Sequence, residues 1–155
     1  MTARVTMYEV RRTFQAPLDF AYAWCTDYSE ADRVLQGETG SRQLIRKTSR
    51  TVVYEDMDAT PHGWMWSRQT VTLRPPDRWH AVAVGNYRTW DLDYTLRELS
   101  GERTAFSMRG ARRATALGVK NPPKAVLEKE LRAMWRNLGR ALERDYRATR
   151  SKRQR

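Results

Sequence analysis

Several residue types and motifs are scarce or missing in this sequence, and each scarcity excludes a class of protein. The 155-residue chain has one cysteine, Cys25, and two histidines, His62 and His80. A single cysteine cannot close an internal disulfide, and these three residues do not have the spacing of a zinc site. A Gly-rich phosphate loop, a nucleophile elbow and a dinucleotide fingerprint are also missing. We therefore predict neither a metal site nor a cofactor.

The sequence also lacks a long apolar run. No stretch approaches the roughly 20 apolar residues that a membrane span requires, and the N-terminal residues do not resemble a signal peptide. A cytoplasmic protein is expected. Cys25 lies in an apolar helical segment, which favours a small buried side chain over a nucleophile.

Acidic residues are outnumbered by basic ones, 18 to 29, which gives a formal net charge of +11. Such a balance attracts polyanions. The basic residues are spread along the chain, however, as on an ordinary solvated surface. The densest basic run lies in residues 147–155, beyond the last apolar residue, and is expected to be a flexible tail after a single domain over residues 1–146.

The order of elements indicates one α+β domain. Residues 4–14 predict a first strand, Pro17 suits the first turn of a short helix, and Ser29 can cap a second short helix that ends at Leu35. From there to about residue 115, strand-like runs alternate with turns, which predicts an antiparallel meander. The runs are 43–48, 51–58, 64–74, 79–85, 89–99 and 104–113.

A long amphipathic helix is predicted at the C-terminus. After Pro122 and Pro123, apolar residues recur at steps of three and four, while charged residues occupy the other faces. The apolar stripe consists of Val126, Leu127, Leu131, Met134, Trp135, Leu138, Ala141, Leu142 and Tyr146.

Two segments carry a resemblance to a known superfamily. The first, Phe14-Gln15-Ala16-Pro17-Leu18-Asp19-Phe20-Ala21-Tyr22, resembles its strand-end, small-Pro, helix-start signature. The second, Thr89-Trp90-Asp91-Leu92-Asp93-Tyr94-Thr95-Leu96 followed by Gly101-Glu102-Arg103-Thr104, resembles its penultimate strand and turn. From about Val5 to Tyr146 the chain thus resembles the SRPBCC, or helix-grip, superfamily, which groups START lipid-transfer domains, birch-pollen-type allergens and polyketide aromatase/cyclases.

The resemblance implies a curved antiparallel sheet of about six to seven strands, with two short helices after the first strand. It also implies that the long C-terminal helix packs across the concave face. Between sheet and helix, the resemblance implies a cavity for lipids, sterols, polyketides or other apolar rings. We expect the 116–123 connection and the loops that face it to control entry. Such a fold does not by itself specify a function.

Alternation predicts which strand residues face that cavity. Asp91 and Asp93 alternate with apolar residues and are expected on the solvent face, while Arg68 or Tyr54 would offer a polar contact inside. A packed core without a cavity is the alternative. The predicted ligand-binding residues are Tyr54, Trp64, Trp66, Arg68, Trp90, Tyr94, Phe106, Met108, Leu131, Met134, Trp135 and Leu138.

Three functions are compatible with these observations. The leading hypothesis is a carrier for an apolar small molecule (a lipid, quinone or polyketide-like compound), because the predicted inward faces carry few ionisable groups. The first alternative is a polyketide cyclase/dehydratase-like enzyme that transfers protons with Tyr54, Asp56, Arg68 and Tyr94. Asp56 is included because alternation places it with Val52 and Tyr54.

The third hypothesis is an interaction protein that binds an acidic partner through its basic surface. Nucleic acid is a disfavoured partner, because stacking aromatics would need to be exposed and here they fall on faces that the helix covers. Weak contact with anionic membranes is compatible with the same positive charge.

Overall fold

The part of the chain that the structure describes contains seven strands and three helices. A computed structural model of the protein describes residues 5–35, 40–61, 63–116 and 119–154. The elements are β1 (Val5–Phe14), α1 (Leu18–Cys25), α2 (Ala31–Leu35), β2 (Ser41–Lys47), β3 (Thr51–Thr60), β4 (Gly63–Arg74), β5 (Arg78–Gly85), β6 (Arg88–Leu99), β7 (Arg103–Ala114) and α3 (Lys124–Arg153).

All seven strands form one antiparallel sheet. Its order is β1-β7-β6-β5-β4-β3-β2, so that β1 and β2 are the two edge strands. Consecutive strands from β2 to β7 pair as neighbours, and β1 joins the far side of β7. This arrangement, with two short helices early and one long helix at the end, confirms the predicted α+β helix-grip fold.

Helix α3 packs its apolar stripe on the concave face of the sheet. Phe14, Phe106 and Met108 on the sheet and Leu138 and Leu142 on the helix are each at most 4% exposed. Helix α3 contacts β1, α1 and α2. Removing this apolar surface from water, at roughly 25 cal/mol per Å², is the main force that holds the helix on the sheet.

Two carboxylates of α3 bind backbone amides at the sheet edge. The Glu9 backbone N–H donates to Glu128 Oε1 at 3.1 Å, and the Gln15 N–H donates to Glu143 Oε1 at 3.1 Å. These bonds satisfy backbone donors along β1, which has no neighbouring strand on that side. Helix α1 is joined to α3 by Trp24 Nε1, which donates to Asp145 Oδ2 at 3.0 Å.

A glycine permits the closest contact between β1 and β7. Gly110 faces the ring of Tyr8, its register partner, and a Cβ at this position would lie 2.4 Å from the ring carbon Cζ. Only a residue without a side chain leaves room for that ring, which is 4% exposed.

Some predicted boundaries differ from the structure. Helix α2 begins at Ala31 rather than at Ser29, and α3 continues to Arg153 through the segment expected to be a flexible basic tail. Arg150 of this segment and Tyr146, which comes just before it, both donate to Glu102 in the β6–β7 turn, at 3.3 Å and 3.1 Å. The predicted turn at His62, residues 1–4, part of the 116–123 connection and the last residue of the tail lie outside the described residues.

Among the described helices, none has the length and apolar character needed to cross a membrane.

Replacing Leu142 by alanine should lower the free energy of unfolding by about 2–5 kcal/mol, because the side chain is fully buried between α3 and the sheet. The matched control is Arg140→Ala, an exposed position on the same helix, which should change stability by less than about 0.5 kcal/mol. Urea unfolding measures both. Equal losses for the two variants would contradict the packing of α3.

Candidate functional site

A cavity of about 270 Å³ lies between the concave face and α3. All seven strands and all three helices of the described residues contribute to its lining. The lining residues are Tyr8, Trp24, Cys25, Tyr28, Asp32, Arg33, Arg42, Tyr54, Asp56, Asp58, Met65, Ser67, Gln69, Trp79, Arg88, Trp90, Leu92, Tyr94, Met108, Arg112, Leu131, Met134, Trp135 and Leu138. The space between sheet and α3 is thus not completely filled by the side chains around it.

Stacked aromatic rings form one side of the cavity. The rings of Trp79 and Tyr94 are parallel, with an interplanar angle of 5° and centroids 4.7 Å apart. The ring of Trp135 on α3 meets the Tyr94 ring edge-on, with centroids 6.1 Å apart. The centroids of Trp135 and Phe106 are 4.2 Å apart. Such ring pairs stabilise the fold beyond the apolar area that they bury, and their faces make this side of the cavity aromatic.

A buried ionic cluster forms another side. Asp56, 4% exposed, accepts hydrogen bonds from Arg33 Nη1 at 2.9 Å and from Arg42 Nε at 2.8 Å and Nη2 at 3.0 Å. Arg33 also donates to Asp58. The Arg42 guanidinium lies 4.2 Å from the centroid of the Tyr54 ring. The cluster ties α2, β2 and β3 together, because each strong charge-assisted bond joins two of them.

Asp32 is the carboxyl group of the cavity with the least complete ion pairing. Its nearest cation is Arg42, 4.0 Å away. Burial raises the pKa of Asp32 to about 6, although the charge of Arg42 opposes the rise and that of Asp27 adds to it. The group therefore changes its protonation state not far below neutral pH, as a general acid or base must.

The tyrosine hydroxyls and the cysteine thiol of the cavity stay neutral at ordinary pH. Burial raises the pKa values of Tyr28, Tyr54 and Tyr94 well above their usual range, and the Tyr54 hydroxyl donates to Gln69 Oε1 at 2.8 Å. Burial also raises the pKa of the Cys25 thiol. A thiolate nucleophile is therefore disfavoured at this position, in agreement with the expected small buried side chain.

Most of the predicted ligand-binding residues lie around the cavity. The structure brings together Tyr54, Trp90, Tyr94, Met108, Leu131, Met134, Trp135 and Leu138. Phe106 points to the same side of the sheet but is 2% exposed and covered by Phe14 and Trp135, so that it supports the cavity from beneath.

The inward orientation predicted for Trp64, Trp66 and Arg68 is wrong. Trp64 is 64% exposed on the convex face, and Arg68 binds Glu55 there at 2.5 Å. The register places Ser67 opposite Asp56 and Gln69 opposite Tyr54, so the alternate residues of β4 face the cavity. Hydrophobicity misled the prediction, because two tryptophans of this strand lie on the outer face.

The expectation of few ionisable groups inside is also wrong. Four arginines and three aspartates line the cavity: Arg33, Arg42, Arg88, Arg112, Asp32, Asp56 and Asp58. For β6 and β7 the sequence did indicate inward arginines. Arg88 shares a strand face with Trp90, and Arg112 shares one with Met108, and both faces were predicted to point inward. For Arg33 and Arg42 no signal was available, because their partner Asp56 is 23 and 14 residues away.

Three further polar groups meet on the convex face, outside the cavity. His80 Nδ1 lies 2.8 Å from Asp93 Oδ1 and Nε2 lies 3.3 Å from Asp91 Oδ1. Their possible ligand atoms lie within 4.8 Å of one another, a juxtaposition that sequence spacing did not predict. Both aspartates are exposed, as alternation predicted.

Comparison with known proteins identifies the fold. No protein-family model matches the sequence, and the curated proteins give no match either. Solved structures do match. The protein TTHA0849 from Thermus thermophilus superimposes with a TM-score of 0.72 at 13% identity, over 93% of this chain and 99% of that one.

Two other matches have informative names. The Zhui aromatase/cyclase from a Streptomyces species gives a TM-score of 0.62 at 13% identity, over 98% of this chain and 97% of that one. A START superfamily protein from Mycobacterium smegmatis gives 0.62 at 12% identity, over 92% and 98%. The chain therefore has an SRPBCC-type fold, as the resemblance predicted. At identities this low, the structural match establishes the fold alone, and function must be argued from the site.

Replacing Asp56 by asparagine should lower the free energy of unfolding by about 3–5 kcal/mol, because Arg33 and Arg42 would keep buried charges without their carboxylate. The neighbouring Glu55→Gln removes a surface pair with Arg68 and should cost less than about 1 kcal/mol. Denaturant unfolding compares the two. Similar losses would contradict the burial of the ionic cluster.

Replacing Asp32 by asparagine tests its raised pKa. The folded protein holds the Asp32 proton to a higher pH than the unfolded chain does, so ionisation of Asp32 lowers the free energy of unfolding as the pH rises from about 4 to above about 6. Asparagine cannot ionise. The melting temperature of the variant relative to wild type should therefore rise between about pH 4 and pH 7.5.

The control is Thr95→Val at an exposed position of β6. Neither side chain titrates, so the difference between this variant and wild type should stay constant over that range. A difference for Asp32→Asn that falls with rising pH would mean that the pKa is lowered instead.

Proposed function

We propose that the protein is a binding or carrier protein for a small amphipathic molecule held in the cavity. The carrying observation is the cavity itself, which lies beside the rings of Trp79, Tyr94 and Trp135. Ligand sites are typically concave and mostly apolar, with a few placed polar groups. This cavity has both parts, an aromatic side and an ionic side.

The size and shape of the cavity favour a ring compound over a long-chain lipid. Its volume of about 270 Å³ is just below the roughly 300–1,000 Å³ of typical small-molecule sites. Flat aromatic surfaces bind flat ligands, at roughly 25 cal/mol per Å² of apolar area removed from water, reduced by the cost of ordering the ligand. A quinone or a compact polyketide-like ring fits this description better than a lipid.

A cyclase-like enzyme is the second candidate, because Asp32 has a pKa of about 6 and lines the same cavity as Tyr54 and Tyr94. The Zhui protein, whose fold is similar, is named an aromatase/cyclase. The candidate proton-transfer residues of this enzyme differ, however, from those predicted from the sequence. Arg68 faces away from the cavity, and Asp56 is bound by two arginines, so that Asp32 replaces Asp56 as the acid or base.

Interaction with an acidic partner through the basic surface, and weak contact with anionic membranes, stay predictions. Their test is a strong weakening of binding by salt.

Filling the cavity should weaken binding. Fluorescence titration with the neutral aromatic probe N-phenyl-1-naphthylamine should give saturable binding to the wild-type protein. Leu131→Trp, on the cavity side of α3, should weaken that binding about tenfold or more, since the indole occupies space that the probe needs. Met134→Trp is a second variant of the same kind.

The control is Val126→Trp, which places the same side chain at a 45% exposed position of α3 and should leave binding unchanged. Thermal unfolding must show that each variant is folded. Binding that Leu131→Trp and Met134→Trp leave intact would place the probe elsewhere and refute the proposal. Native mass spectrometry of protein from its host distinguishes the two candidates: an extracted compound that is returned unchanged after incubation supports binding, and one of altered mass supports the enzyme.

A further inference from the structure

Two arginines lie beside the ring of Trp90 at one end of the cavity. Trp90 of β6 and Arg112 of β7 are register partners, and Arg88 precedes Trp90 by two residues on the same face. The guanidinium carbons of Arg88 and Arg112 lie 5.5 Å and 5.9 Å from the ring centroid. Both side chains line the cavity. The ring holds both cations in place, because a guanidinium is attracted to an aromatic face.

Arg33 and Arg42, the other two arginines of the cavity lining, are already paired with carboxylates. Arg33 binds Asp56 and Asp58, and Arg42 binds Asp56 and lies 4.0 Å from Asp32. The cavity lining contains four arginines and three aspartates. Asp32 holds its proton up to a pH of about 6, which increases the positive excess under mildly acidic conditions.

Arg112 has an unused donor. Its Nε–H is buried and has no hydrogen-bond partner among the described residues, and its guanidinium makes no ion pair there. Its backbone carbonyl, by contrast, accepts a bond from Asn121 Nδ2 at 3.0 Å, which holds β7 at this point. A buried charged donor left unpaired costs free energy, and an anion placed beside it would recover that cost.

We propose that Arg112, with Arg88 beside it, is a binding subsite for an oxyanionic group of the ligand, a carboxylate or a phosphate. This inference rests on the proposed function, since it names the polar end of the molecule in the cavity. Guanidinium groups suit the role because their planar donors match two oxygens of a carboxylate or phosphate at once.

The subsite also gives the ligand a direction. Trp90, Leu92 and Tyr94 follow one another along the inner face of β6 and all line the cavity. Alternate residues of a strand are about 6.6 Å apart, so Trp90 and Tyr94 are separated by about 13 Å. A ligand with its anion at Arg112 would thus extend its apolar body along β6 toward the stacked rings of Trp79 and Tyr94.

The test uses ligands of nearly the same shape that differ in charge. Displacement of bound N-phenyl-1-naphthylamine gives the affinities of 2-naphthoate, 2-naphthyl phosphate and the neutral 2-naphthamide. At least one of the two acids should bind about tenfold or more tightly than the amide, because a hydrogen bond to a charged group is worth that much. The tighter of the two identifies the class of oxyanion. Added salt should weaken binding of the acid and leave that of the amide unchanged.

Arginine variants locate the effect. Arg112→Met keeps the length and apolar contact of the side chain and should lower affinity for the preferred acid about tenfold, with affinity for the amide unchanged. Arg112→Lys keeps the charge without the planar fork and should be intermediate. The matched control is Arg113→Met, the adjacent exposed arginine of β7, which should have no effect. If Arg112→Met fails to fold, Arg88→Met takes its place.

The outcomes separate this inference from the proposed function. Equal affinities for acids and amide, or a loss shared by acid and amide in Arg112→Met, would overturn the oxyanion subsite while probe binding still supports the cavity as a ligand site. Absence of probe binding to wild-type protein would overturn both.

Discussion

The width of the sheet relative to its single long helix is the constraint on which the rest of the structure depends. Seven strands about 4.8 Å apart span roughly 29 Å, whereas a helix with its side chains is about 10–12 Å across. Helix α3 cannot cover the concave face alone, so α1 and α2 cover part of what remains, and large rings such as Trp79 and Trp135 fill space between the layers. The cavity of about 270 Å³ is what these elements leave open.

That geometry explains why charged residues occur inside the molecule. Helix α2 has only five residues, too few to provide an apolar stripe of its own, and it is held to the sheet through Arg33 and the carboxylates of β3. The same cluster brings Arg42 beside Asp56 and within 4.0 Å of Asp32. An ionic contact that attaches a short helix therefore also sets the electrostatics of the cavity around Asp32, whose pKa is raised by burial.

The cavity is asymmetric, and its asymmetry bears on what it can do. Stacked rings offer binding area without chemistry, whereas Asp32 offers a proton that moves near neutral pH and Arg112 offers an unpaired donor. A carrier needs only the rings and the cationic end. An enzyme needs the proton as well, together with a substrate whose reacting atom reaches Asp32. Both functions would use one site, and they differ in whether the bound molecule leaves it changed.

Elements whose patterns are local were determined by the sequence alone. The apolar stripe of α3, the succession of hairpins, and the inward position of Asp56 beside Tyr54 follow from periods of 3.6 and 2 that any isolated segment carries. The face of β4 and the arginines of the ionic cluster were decided by the tertiary structure. Trp64 is the more apolar residue, yet Ser67 faces inward, because pairing with β3 sets the register of the whole strand. Arg33 and Arg42 become buried only because Asp56 is there to bind them, and the energy of a contact between residues distant in sequence leaves no local pattern.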